Sequence, residues 1–119
     1  MTRLEHAILG LRHALDARRR HRVWRWLVRN RMAAVRDALS AESSHDGDAW
    51  LAAREVALDR ERDTLLRRLA ALGPQVLEAP DVEGVHHELS RLVVDLEHHR
   101  QRISDLVYDS VSLELGGSE

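Results

Sequence analysis

Apolar residues along the first forty positions fall into two stripes that look in opposite directions. Leu4, Ile8, Leu11 and Leu15 recur at steps of four and three, as do Trp24, Val28, Met32, Val35 and Leu39. Each set therefore lines one side of an α-helix. At about 100° per residue, Trp24 stands roughly 180° from Leu15. Thr2 followed by Glu5 makes a capping box, and no strong turn signal comes before Asp46-Gly47-Asp48. Between the stripes, Asp16-Ala17-Arg18-Arg19-Arg20-His21-Arg22 lacks apolar periodicity but consists largely of good helix formers. The local pattern predicts one helix over about residues 2–40, with a break near residues 17–21 as the alternative.

Asp48 is placed to cap a second helix, and Leu72-Gly73-Pro74 reads as its stop, which gives about residues 49–72. Leu51, Leu58, Leu65, Leu69 and Leu72 line one side of it, interrupted by Arg54, Glu55 and Arg62. Ala79-Pro80-Asp81 opens a third helix over about 81–109, whose seam is Val85, Leu89, Leu92, Leu96, His99, Ile103 and Leu106. Beyond Asp109 the period becomes two, with Val111, Leu113 and Leu115 on one side, so residues 110–119 are expected as an extended tail. The expectation is an all-α single domain over 1–119. Its architecture would be an antiparallel three-helix bundle with a long basic N-terminal helix, or a four-helix bundle if that helix breaks.

Charge is segregated. The first 36 residues hold ten arginines against Glu5 and Asp16, a net +8, and the remaining 83 hold eight arginines against eighteen acids, a net −10, which sums to −2. Arg18, Arg22, Arg25, Arg29 and Arg36 stack on one side of a helix. Like charges at that spacing repel, so the stripe calls for an acidic partner or a phosphate. A nucleic-acid strand offers the right spacing, but the eighteen acids would repel it and no recognition motif is present. Trp26 falls near the arginines and suits an exposed anchor, whereas Trp24 shares the Val28 and Val35 face and is expected in the core. Trp24 and Trp26 among arginines also suit an interfacial membrane helix, the weaker reading because tryptophan at helical spacing belongs more often to a core.

The chain has no cysteine, which removes disulfides, thiolate metal sites and cysteine nucleophiles. No secretory or membrane-spanning segment is seen, so a cytoplasmic location is expected. Glu83 with His86 and Asp95 with His98 have the carboxylate-histidine spacing of di-iron bundles, and His99 adds a third histidine. Both pairs share one helix, twelve residues apart, so they cannot close on one metal pair in a monomer. A seam histidine hydrogen-bonded to a carboxylate is the simpler account of His99, and it predicts pH-sensitive stability.

No nucleophile-base set and no phosphate-cradling glycine loop is present, so neither an enzyme, a cofactor nor a small-molecule substrate is expected. The residues point to a helical interaction module that binds itself as a homodimer, or another protein. Leu4, Ile8, Leu11, Leu15 and Trp26 would supply burial, and Arg18, Arg22, Arg25, Arg29 and Arg36 would orient an acidic partner. Nucleic-acid binding through the arginine stripe is the alternative, and a metal-binding bundle the second.

Overall fold

The computed structural model describes residues 2–17, 22–42 and 49–116, with side chains for all of these except residues 22, 49–51 and 113–116. Its elements are α1 (Arg3–Asp16), α2 (Arg22–Ser40), α3 (Ala49–Glu78) and α4 (Val82–Gly116). The fold is all-α, with four helices packed in a bundle. The expected single long basic helix over 2–40 is therefore corrected to two. Thr2 and Glu5 close the capping box, with the Thr2 hydroxyl accepting from the Glu5 N–H at 3.1 Å. The other end of α1 stops at Ala17, whose φ of −71° and ψ of 164° are extended.

Burial decides this break. A continuous helix would leave one of its two opposed stripes in water. Folding back buries Leu4, Ile8, Leu11 and Leu15 together with Trp24, Val28, Met32, Val35 and Leu39 in one core. Each such side chain contributes about 1.5–3 kcal/mol. Ending one helix at Asp16 and starting another at Arg22 forfeits only a few tenths of a kcal/mol per residue in propensity. The packing term wins by several-fold.

Neighbouring helices are antiparallel and form a ring: α1 packs along α2 and α4, and α3 packs along α2 and α4, while the diagonal pairs meet only through side chains in the centre, as Trp24 of α2 does with His86 of α4. Three ion pairs set the α3–α4 register: Arg54 with Asp109, Glu61 with Arg102 and Arg68 with Asp95, each at 2.6 Å. They stand seven residues apart on both helices, with signs +, −, + facing −, +, −. A slip by one heptad would oppose Arg54 to Arg102 and Glu61 to Asp95. Each pair is worth at most about 1 kcal/mol at such exposure, but together they select the register.

Two further boundaries differ from the sequence pattern. Helix α3 passes through Gly73-Pro74 to Glu78 instead of stopping at residue 72. An interior proline costs about 3 kcal/mol. Against that, Val76 is buried in the core, with Leu72 and Ala79 packed on it. Arg25 of α2 also donates to the carbonyls of Val76 and Ala79, at 3.1 and 2.7 Å, at the turn where helical carbonyls lack partners. Gly73 belongs to the same contact, because a Cβ there would stand 3.1 Å from Arg29 Nε. Helix α4 runs on to Gly116, so the tail over 110–116 is helical and not extended; residues 117–119 lie outside the described residues.

Helices α3 and α4 are much longer than α1 and α2. The four-helix body ends at the layer of Thr2, Glu42 and Ile103, which line one groove. Past it, residues 49–59 of α3 and 104–116 of α4 continue as a two-helix arm about 16–20 Å long. The elongated extents of 60 × 23 × 19 Å agree with this. No helix among the described residues is long and apolar enough to cross a membrane.

Leu11 is fully buried, whereas Val94 is 52% exposed on the outside of α4. Leu11→Ala is expected to lower the unfolding free energy in urea by about 2–5 kcal/mol, and Val94→Ala by less than about 0.5 kcal/mol. Equal, small effects would contradict the placement of α1 in the core.

Candidate functional site

The four residues expected to face a partner from α1 do not do so. Leu4, Ile8, Leu11 and Leu15 point into the chain's own core, where the folded-back α2 and α4 already cover them. Trp26 differs: it is 63% exposed on the outside of α2, next to exposed Val23. Trp24 is buried, stacked on the ring of His86 with centroids 6.4 Å apart. Among the described residues its buried Nε1–H has no hydrogen-bond partner. His86 Nε2 lies 3.1 Å from the carbonyl of Leu15, so this pair closes the core at the α1–α2 corner.

The arginine stripe is divided in use. Arg25 is spent on the C-terminal carbonyls of α3, and Arg29 lies across Gly73. Arg36 is exposed and pairs at 3.3 Å with its neighbour Asp37. Arg18 lies outside the described residues, as does the side chain of Arg22. The acidic partner anticipated for Arg25 is thus the negative end of a helix within the same chain.

The metal candidates do not converge. Asp95 is held by Arg68, His86 is under Trp24, His98 is exposed, Glu83 sits at the first turn of α4, and His99 is in the core. Among the described residues no group of three or more histidine, aspartate or glutamate side chains is placed to hold a metal ion.

His99 is the chain's one buried polar side chain among those described, at 0% exposure, and it ties three elements together. Its Nδ1 lies 2.6 Å from Glu61 Oε1 of α3, and its Nε2 lies 3.1 Å from Glu42 Oε2, just past the end of α2. Arg102 grips the same Glu61 carboxylate through Nη2 at 2.6 Å and Nε at 3.2 Å, and Arg62 donates to the Glu42 carbonyl at 3.4 Å. A neutral imidazole has one N–H, so one nitrogen lone pair would face a carboxylate; the imidazolium donates to both. Burial pushes the His99 pKa down, but hydrogen bonds and charge from Glu42 and Glu61 outweigh it, and the net shift is upward from 6.5. Both ring nitrogens are occupied and shut off from water. The group is a brace, not a base poised for a substrate.

The residues that sequence reasoning missed are Glu42 and Glu61, together with the α3–α4 charge ladder. The ladder was visible in principle, since Arg54, Glu61 and Arg68, and Asp95, Arg102 and Asp109, repeat every seven residues. No local pattern joins Glu42 to His99, because 57 residues separate them.

An open groove of 310 Å³ lies one layer beyond His99, lined by residues that include Leu4, Ala38, Glu42, Arg100 and Ile103. Arg100 and Glu42 are both engaged, Arg100 with Glu5 at 3.3 Å. The exposed large apolar residues gather instead at the two ends. Among the described residues, Val23 and Trp26 are exposed near the start of α2, Leu77 near the end of α3, and Val56, Val107, Tyr108 and Val111 on the arm; Val94 stands alone between them. No known family, curated protein or solved structure matches this chain.

A folded-state pKa raised above 6.5 contributes stability that is fully present below about 6.5 and is lost as pH rises through the raised value. The unfolding free energy is therefore expected to fall from pH 6 to pH 9. The His99→Gln variant should show a flatter profile in the same urea titrations. Parallel profiles for the two proteins would rule out the protonated brace.

Proposed function

We propose that the protein is a non-catalytic helical interaction module that associates with a second copy of itself. It does so through surfaces that its own helices leave uncovered, not through the α1 stripe. The observation that carries this reading is the arm. Residues 49–59 and 104–116 form half of a four-helix layer, and the continuing seam leaves Val56, Val107, Tyr108 and Val111 exposed, the last three within five positions of α4. In the body, the equivalent side of α4 is covered by α1, through Glu5 with Arg100 and Arg12 with Glu97. On the arm nothing described covers it. Exposed apolar clusters on an otherwise charged surface mark interaction sites.

Two further features favour an interaction role over catalysis. Among the described residues, the one with a displaced pKa, His99, is sealed and doubly hydrogen-bonded. The groove at the end of the four-helix body has its Glu42 and Arg100 paired internally. A phosphate-binding role draws support only from the eight arginines between Asp16 and Asp37. It is weakened by the commitment of Arg25 to backbone carbonyls.

Light scattering after gel filtration, from about 5 to 500 μM, is expected to give a mass that rises above that of one chain. Absorbance at 260 nm should show no bound nucleic acid. A constant monomer mass over the whole range would overturn the reading. The double variant Tyr108→Arg/Val111→Arg, at two exposed positions, is expected to stay folded and shift self-association at least tenfold toward monomer.

A further inference from the structure

We infer that His99 is a latch on the end of α2: when its imidazole is neutral, the Glu42 carboxylate leaves it and the last turn of α2 loosens from the bundle. The geometry carries the inference. One sealed ring faces two carboxylates from different elements, Glu61 of α3 and Glu42 just past α2, and only the imidazolium can donate to both. A neutral ring must let one of them go.

Which one it releases follows from what else holds each carboxylate. Nδ1 lies 2.6 Å from Glu61 Oε1, and Arg102 of α4 grips the same carboxylate through two nitrogens. Were Nδ1 to give up its proton, its lone pair would face a fixed carboxylate oxygen at that short distance. The Glu42 oxygens stand farther off, 3.1 and 3.3 Å from Nε2, and among the described residues the ring is the only donor to them. Nε2 is therefore the nitrogen that loses its proton, and Glu42 is the carboxylate that turns away. It has an exit, because Glu42 already lines the open groove at the end of the body together with Arg3 and Arg100. The backbone beside it is lightly held: the Glu42 N–H donates to the Leu39 carbonyl at 3.2 Å, the Ala41 N–H to the Asp37 carbonyl at 3.1 Å, and Arg62 to the Glu42 carbonyl at 3.4 Å.

The other charges around the ring do not replace the lost contact. On α3, Arg62 lies between Asp59 at 3.5 Å and Asp63 at 3.8 Å. Arg102 is committed to Glu61, and Glu5 of α1 is bound to Arg100. The upward displacement of the His99 pKa gives the direction of the device: the latch is closed below about 6.5 and opens as pH climbs through the raised value. This differs from a general loss of stability, since the end of α2 lets go while the rest of the bundle stays packed.

Heteronuclear NMR on the wild-type chain tests this without any substitution. Ring nitrogen spectra from about pH 5 to 10 are expected to show Nε2 losing its proton while Nδ1 keeps it. Over the same range, hydrogen-exchange protection of the Ala41 and Glu42 amides, taken relative to Leu11 and Leu96, is expected to fall about fivefold or more. In Glu42→Gln the side-chain amide donates to the bare Nε2, so the α2 end is expected to hold throughout and that ratio to stay within about twofold. Circular dichroism establishes that this variant folds, and the wild-type spectra decide the matter if it does not. Proton loss from Nδ1, a ring in one charge state throughout, protection that falls equally at all four amides, or a Glu42→Gln variant that loosens as wild type does would each overturn the latch.

Discussion

The architecture depends on one constraint: the apolar stripe of residues 4–15 and that of residues 24–39 face opposite ways along any straight helix, and one core must bury both. Reversal of the chain after Ala17 satisfies it, and much follows. Folding back turns one candidate helix of ~58 Å into two short ones of ~21 and ~28 Å. These are too short to cover α3 and α4, which run on for 30 and 35 residues. The uncovered remainder is the arm. The surface available to a partner is thus a consequence of where the stripes change sides, and the N-terminal stripe is unavailable for the same reason.

Polar interactions then fix how the four helices sit, more than how strongly they hold. Arg25 and Arg29 press α2 on the last turns of α3, where backbone carbonyls present the negative end of the helix dipole. The alternating ladder of three ion pairs sets α3 against α4. His99 joins α3 and α4 to the end of α2 through two carboxylates. A buried charge held in this way adds modestly to net stability and strongly penalises any arrangement that leaves it unpaired. Apolar packing supplies the energy, and these contacts select one packing among several.

The sequence was informative wherever one local signal had no rival. The Thr2–Glu5 box, the end of the second stripe at Ser40, the α4 seam from Val85 to Leu106, and His99 as a seam residue held by a carboxylate all stand in the structure as the pattern implies. It was misleading where local and tertiary terms conflict. Arginine and alanine favour helix through residues 16–22, but the gain is small beside the burial of nine side chains. Gly73-Pro74 is a sound stop signal that the burial of Val76 and the grip of Arg25 override. The alternation of Val111, Leu113 and Leu115 looks extended, but it begins inside a helix already three turns past His99 and simply continues it. Glu42 and Glu61 had no local signature, because their role exists only once α2 and α3 meet α4.

Chain reversal between α1 and α2 is the claim on which the rest stands, and the absence of native cysteine makes it directly measurable. Spin labels on cysteines replacing exposed His6 and Asp37 would sit level with each other on adjacent antiparallel helices. Their separation, read by pulsed electron spin resonance, is expected to be short: the about 8–10 Å between packed helix axes plus the label linkers. A distance near 46 Å, that of 31 residues of unbroken helix, would return the first forty residues to a single rod and contradict the buried stripe, the four-helix body and the uncovered arm together.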